Sequence, residues 1–452
     1  NNPAIPLVGK GAIEHFRLAF KVLKDWKDRA GRLPLLIRGA RQVGKTWLVR
    51  EHAKLYDNFV EINLESHREY LGVFKEYYGK PKELIAAISL VAGQKIEDGK
   101  TLLFIDEIQE SKEALLSLRY FKENMPEQHV IAAGSLLEFA FKDFSFPVGR
   151  IQFFHLFPIN FEEYLIATNR QDLVNALLAL NEKNPVPVAV HEKLLSEIAL
   201  YCLIGGMPEV VKTYIETDDW RICQELQQVL VANFREDFYK YASKANIEHV
   251  RLVFNSAPRL LGQKFKYSNV DSGVKSRELS EALGLLGQAG LIYKAFHTSA
   301  NGLPLAAQLN PKKFKVFFLD IGLAQRILGL NLAQSYLERK VLLANRGAIA
   351  EQFVAQEMAS FTGPNQPPEL FYWHRETRSS QAEIDLVAEF QSSVFPIEVK
   401  SHRSGNLRSL HLFLEEKGRF VAKALKVSSA PYSLDGKIMT LPFYALLKLR
   451  ER

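Results

Sequence analysis

Cysteine is nearly absent from this chain: Cys202 and Cys223 are the only two among 452 residues. There is no CxxC pair and no His/Cys cluster at zinc spacing, which sets aside a disulfide scaffold and a structural zinc. A reduced, cytoplasmic setting is the expectation. Long apolar runs are missing as well. None reaches the roughly eighteen residues that a spanning helix needs, and no basic segment leading into an apolar one opens the chain, so no membrane partner is expected. What remains is an ordinary globular composition, 47% hydrophobic and 24% charged, in a chain long enough for two to four domains. The net charge of +7 is a modest pointer to an anionic partner, and its placement matters more than its total.

One stretch organises the rest. Leu35, Leu36 and Ile37 read as a buried strand that breaks into Gly39-Ala40-Arg41-Gln42-Val43-Gly44-Lys45-Thr46-Trp47 and resumes as a helix through Leu48, Val49, His52 and Leu55. This is a P-loop between a strand and a helix. Gly39 and Gly44 let the backbone turn its N–H groups toward phosphate oxygens, and the helix N-terminus adds partial positive charge. Lys45 is placed to reach the β- and γ-phosphates and Thr46 to ligate Mg²⁺. A helix over residues 11–30 precedes this strand, and Phe59–Leu64 alternates as a second strand.

Residues 101–109, Thr-Leu-Leu-Phe-Ile-Asp-Glu-Ile-Gln, supply the partner half. A fully apolar run predicts a buried parallel strand, with Asp106 and Glu107 at its C-terminal end, where ligands gather in such sheets. Asp106 would hold the Mg²⁺ through water and Glu107 would orient and deprotonate the attacking water. A further strand, His129–Ser135, ends in a small polar residue, Ser135, the candidate group for sensing a γ-phosphate. Arg150 follows a Pro/Gly turn. It reads equally as a finger into a neighbouring subunit, as a phosphate ligand of its own site, or as a surface arginine.

Together with Leu156-Phe157-Pro158-Ile159-Asn160-Phe161-Glu162-Glu163-Tyr164-Leu165, these motifs resemble the ATPase core of a prokaryotic AAA+-type family, the branch of archaeal P-loop ATPases and bacterial relatives with an uncharacterised C-terminal region. The resemblance is dense over residues 33–165 and looser beyond. It implies ATP rather than GTP, in keeping with the absence of an Asn/Thr-Lys-x-Asp guanine-reading motif. It also implies that Arg150 is an arginine finger or phosphate sensor, which makes a homo-oligomer an open possibility. The Gly205-Gly206-Met207-Pro208-Glu209 break inside the following helical region resembles the same family.

Residues 249–325 read helix, helix, β-hairpin, the order of a winged helix. Over 251–315 there are ten Lys/Arg against three Asp/Glu, a surplus of seven that equals the whole chain's net charge. DNA is the expected partner of that surface, although winged helices also serve as protein contacts. The last hundred residues carry a second chemistry. Glu351 lies on a predicted helix, then come strands with Glu383 and Asp385 and with Glu398-Val399-Lys400. Residues two apart share a strand face, so these acids and Lys400 could hold one or two Mg²⁺ or Mn²⁺ ions against a phosphodiester. The order of helix acid, Asp strand and Glu-x-Lys strand resembles the PD-(D/E)xK nuclease superfamily. That resemblance implies Glu351, Asp385 and Glu398 as metal ligands and Lys400 as a catalytic lysine. The competing reading is a hairpin with cross-strand charge pairs.

The expected fold is α/β: a P-loop NTPase with a parallel, AAA+-like sheet (1–165), a helical lid (166–248), a winged helix (249–335) and a restriction-endonuclease-like α/β domain (336–452). The expected function is ATP binding and hydrolysis coupled to nucleic-acid binding and metal-dependent DNA cleavage. The alternative is an ATP-driven switch in signalling or defence whose C-terminal domain binds without cutting.

Overall fold

The computed structural model describes residues 17–135, 137–140, 149–243, 246–330, 336, 347–363, 365–376, 382–401 and 406–450. They gather into two compact units, Asn1–Phe157 with Gly363–Pro367, and Pro158–Thr362 with Pro368–Arg452.

The first unit is built on a five-stranded sheet: β1 (Leu35–Arg38), β2 (Asn58–Asn63), β3 (Thr101–Asp106), β4 (His129–Ala133) and β5 (Gln152–His155). Their spatial order is β2-β3-β4-β1-β5 and every pairing is parallel. Parallel strands need crossovers and helices over both faces, which is why β3 and β4 are buried along their whole length and read as unbroken apolar runs. The functional consequence lies in the order. Because β4 sits between β1 and β3, the loops after β1, β3 and β4 open side by side at one edge of the sheet, and the residue after β4 falls between the other two.

The second unit begins with helices, among them Phe161–Ala167, Val188–Ile204, Pro208–Thr217 and Trp220–Asp237. Asn160 starts the first with a capping box: its side chain accepts from Glu163 N while the Glu163 carboxylate accepts from Asn160 N. An eight-stranded mixed sheet follows, made of β6 (Ile292–Thr298), β7 (Leu309–Phe318), β8 (Leu370–His374), β9 (Glu383–Phe390), β10 (Ser393–Val399), β11 (Ala424–Ser428), β12 (Ser433–Asp435) and β13 (Ile438–Pro442), in the order β12-β13-β11-β10-β9-β8-β6-β7.

The hairpin expected as a wing is present, since β6 and β7 pair antiparallel, but it is not free-standing. β6 also pairs parallel with β8, through Ala295↔Leu370 to His297↔Tyr372. The physical reason is visible in β7, where Phe314, Val316, Phe317 and Phe318 are all buried. A strand apolar on both faces cannot stand in solvent as a wing and instead completes a larger sheet. The helix Ala348–Phe361 locks this arrangement. Gln352 accepts from Phe318 N and donates to Phe318 O, both at 2.8 Å, and Gln356 accepts from Ile321 N at 2.8 Å. The hairpin and the strands that carry Asp385 and Glu398 are thus one sheet.

Candidate functional sites

The phosphate loop has the conformation its glycines predict. Gly39 has φ +148°, and a Cβ there would lie 2.3 Å from the Leu156 carbonyl oxygen; Gly44 has φ +91° at the helix start. Side chains other than glycine are excluded at Gly39 by space and disfavoured at Gly44 by backbone conformation. Lys45 is buried and its ammonium donates to the carbonyls of Gly39, at 3.1 Å, and Ala40, at 2.8 Å. Burial lowers its pKa to about 8 against the opposing pull of Glu107 and Asp106. Thr46 Oγ1 donates to Asp106 Oδ2 at 2.8 Å, so the end of the P-loop and the end of β3 meet. Asp106 is itself raised, mainly by burial.

Glu107 follows in the left-handed region, φ +50°, which is strained for a non-glycine residue. That carboxylate accepts from Gln109 Nε2 at 2.6 Å. Ser135, one position past Gly134 after β4, is buried and accepts from Arg41 Nε at 3.3 Å, so it touches the phosphate loop as the strand order requires. Gln42 is exposed at the tip, Val43 buried beneath it, and Trp47 half-buried on the helix. Arg150 is about half exposed, and its Nε meets Glu123 Oε1 at 3.2 Å, a carboxylate it shares with Arg119. The pair Thr46–Asp106, one hydroxyl and one carboxylate in contact, has the hard oxygen donors that Mg²⁺ prefers, and the loop has the donors a triphosphate needs. The residues therefore fit Mg²⁺ and ATP.

The acids of the second unit also converge, but around a residue that sequence reasoning passed over. Lys315 of β7 is 0% exposed. Its Nζ lies 2.7 Å from Glu383 Oε1, 3.4 Å from Glu351 Oε2 and 3.8 Å from Asp385 Oδ1. Beside them Glu398 Oε1 accepts from Lys400 Nζ at 2.6 Å, and Asp385 Oδ2 from Val399 N at 2.7 Å. Glu383 also faces Lys264 at 3.3 Å.

Burial and then Asp385 push Glu351 up to about 8 and Glu398 up to about 7; Asp385 is raised by burial. Burial would depress Lys315, but Glu351, Asp385 and Glu383 outweigh it and hold the ammonium charged. Glu351, Asp385, Glu398 and Lys400 thus lie in one neighbourhood, and Lys315 stands among them. With the ammonium in place the carboxylates do not fit a divalent ion as they stand. Among the described residues, the group of three whose ligand atoms all lie within 4.8 Å of one another is His297, His374 and Glu376. The signal for Lys315 was a single lysine inside the apolar run Phe314-Lys315-Val316-Phe317-Phe318. By position alone it belongs to the basic surplus over 251–315.

The fold and phosphate site of the first unit define a P-loop ATPase domain. Residues 31–165 match a family described as "AAA domain". Residues 195–334 match a domain of unknown function, DUF8612, and residues 346–445 another, DUF4143. No curated protein matches the sequence.

Among solved structures, the chain is similar to the Aeropyrum pernix ORC1 protein in complex with DNA, at 11% identity and a TM-score of 0.28, over 74% of this chain and 94% of that one. It is similar to the Thermotoga maritima RuvB Holliday junction branch migration motor at 19% identity and a TM-score of 0.29, over 62% and 88%. It is also similar to protein VC1899 from Vibrio cholerae, at 12% identity and a TM-score of 0.19, over 92% and 96%. At these scores the likenesses carry no argument about function. Among the described residues no helix is long and apolar enough to cross a membrane.

Proposed function

We propose that this protein is an ATP-driven switch in which hydrolysis in the first unit governs how the second engages nucleic acid. The observation that carries the reading is the contact of Thr46 with Asp106 beside the buried Lys45. Thr46 and Asp106 would hold Mg²⁺, which when bound would neutralise charge on the triphosphate. Lys45 would exchange the carbonyls of Gly39 and Ala40 for phosphate oxygens. Glu107 would orient and deprotonate the water, and Ser135 and Arg41 would register the terminal phosphate. The exposed Arg150 would serve a second copy of the chain as its finger. Residues 166–248 would act as the lid, and the β6–β7 hairpin, joined in one sheet to the strands of 336–452, would form with them the nuclease-like element that meets nucleic acid.

DNA is the proposed partner because of the basic surplus over 251–315, from which the buried Lys315 must be subtracted. The experiment is fluorescence anisotropy of labelled duplex DNA with ATP, with ADP and with the Glu107→Gln chain held in ATP, at low and moderate salt. Affinity that ignores both nucleotide and salt overturns the proposal.

Metal-dependent DNA cleavage is the second reading. It is favoured by the convergence of Glu351, Asp385, Glu398 and Lys400, with the Lys400 side chain 26% exposed, and it requires Lys315 to leave. Mg²⁺- or Mn²⁺-dependent cleavage of plasmid or branched DNA, compared with Asp385→Ala and Lys400→Ala, tests it. Cleavage that is equal in all three chains, or absent from all three, removes this reading.

A further inference from the structure

We infer that Lys315 is the resident cation of the carboxylate centre: its ammonium fills the place of a divalent metal, and the centre admits such an ion only when Lys315 is gone. The inference concerns the choice of cation and does not depend on DNA being the partner.

Three carboxylates from two separate elements, the helix Ala348–Phe361 and β9, turn toward one ammonium with three N–H donors. A magnesium ion needs its ligand oxygens at about 2.0–2.1 Å. The oxygens that would close on it are held farther apart by Nζ, which sits among them, and two cations cannot share that space.

The lysine is held there firmly. It is fully buried, its neighbours Phe314 and Val316 are buried with it, and its Nζ lies 5.5 Å from the centroid of the Tyr372 ring. Removing one partner of a buried ion pair leaves charge without compensation. The other oxygens are mostly committed. Asp385 Oδ2 is held by Val399 N, Glu398 Oε1 by Lys400 and Glu383 Oε2 by Lys264, while Glu398 Oε2 is buried with no hydrogen-bond partner. The plug arrives on β7, the last strand of its sheet, which pairs along its length with β6 and elsewhere only through a single bridge from Lys264 among the described residues.

The test is Mn²⁺ titration of the nucleotide-free full chain, read by electron paramagnetic resonance, for the unaltered protein, Asp385→Asn, Lys315→Ser, and Lys315→Ser with Asp385→Asn. The expected result is one additional Mn²⁺ bound by Lys315→Ser at least tenfold more tightly than any ion in the unaltered protein, and lost again with Asp385→Asn. If the unaltered protein binds Mn²⁺ in a way that Asp385→Asn abolishes, or if Lys315→Ser gains nothing, the inference falls. Should Lys315→Ser fail to fold, the Lys315→Met, Glu383→Gln chain removes the ammonium together with its nearest carboxylate. A gain of Mn²⁺ there supports the inference and no gain overturns it.

Discussion

Thr46 and Asp106 are sixty positions apart in sequence and joined by a 2.8 Å hydrogen bond, which ties the first turn of the P-loop helix to the C-terminal end of β3. Glu107, next in the chain, has a left-handed backbone, and its carboxylate is close enough to Lys45 to act on it electrostatically. General-base catalysis contributes roughly 10²–10⁴-fold. Glu107→Gln is therefore expected to lower the ATPase kcat by at least ~10²-fold while leaving ATP affinity nearly unchanged, since Lys45, Thr46 and the loop N–H groups that grip the phosphates all remain. Steady-state phosphate release and nucleotide binding on the same preparation check both halves. Loss of binding in step with loss of rate would assign Glu107 to structure instead.

Much of the first unit was legible because its signals are local. Gly39, Gly44, Lys45 and the apolar run before Asp106 each state a backbone conformation or a burial, and consecutive residues suffice to read them. The second unit was less legible for the opposite reason. Whether β6 and β7 form a wing or join β8 depends on a pairing between Ala295 and Leu370, and nothing within either strand announces it. Lys315 was misread for the same reason, because a lysine among phenylalanines reads as surface or plug depending on acids that lie tens of residues away.

The Gly205-Gly206 break predicts a sharp sensitivity. Gly206 N donates to Asp320 Oδ2 at 2.6 Å, Gly206 O accepts from Ile159 N at 2.7 Å, and a Cβ on Gly206 would lie 2.1 Å from the Ile159 carbonyl oxygen. That oxygen is backbone, so it has little freedom to retreat. Gly206→Ala is expected to cost about 3 kcal/mol. Asp320→Ala, which orphans the Gly206 and Leu323 N–H groups, is expected to cost about as much. Because relieving the clash must shift the residue whose N–H Asp320 holds, the two changes are coupled, and the double variant should lose less than the sum. Urea unfolding of the three chains measures this, and strict additivity would refute the coupling.

His52 makes the protein sensitive to acid. It is 0% exposed, packed between the rings of Phe20, Trp26 and Tyr56, and burial, with Lys27 and His129 nearby, lowers its pKa to about 3. In the unfolded chain the ring protonates near 6.5, so below that pH the unfolded state binds a proton that the folded state refuses. Stability is complete above 6.5 and is lost as pH falls toward 3, by about 2 kcal/mol at pH 5 from this group. His52→Phe keeps a ring in the cluster and should flatten the curve between pH 6.5 and 4. Equal slopes for the two chains would show that the proton is taken up elsewhere.

Glu357 acts in the opposite direction. Its carboxyl is buried, accepts from Phe161 N at 2.9 Å, and faces Glu163, Glu162 and Tyr201. Burial, and then the neighbouring carboxylates, push its pKa up to about 8. Between its unfolded value of 4.5 and 8, the folded state holds a proton that the unfolded chain releases. Its contribution is thus complete below 4.5 and is lost as pH rises to 8, on the order of 5 kcal/mol over the whole window. Asp320 is shifted in the same sense, to about 6, so the isolating comparison is with Glu357→Gln, which keeps the acceptor for Phe161 N and removes the titration. The glutamine chain should gain on the unaltered protein as pH rises from 5 to 8, and its urea midpoint should be the higher of the two at pH 8. A difference between the chains that does not change with pH would mean that the Glu357 carboxyl is already ionised in the folded state, stabilised by donors beyond Phe161 N.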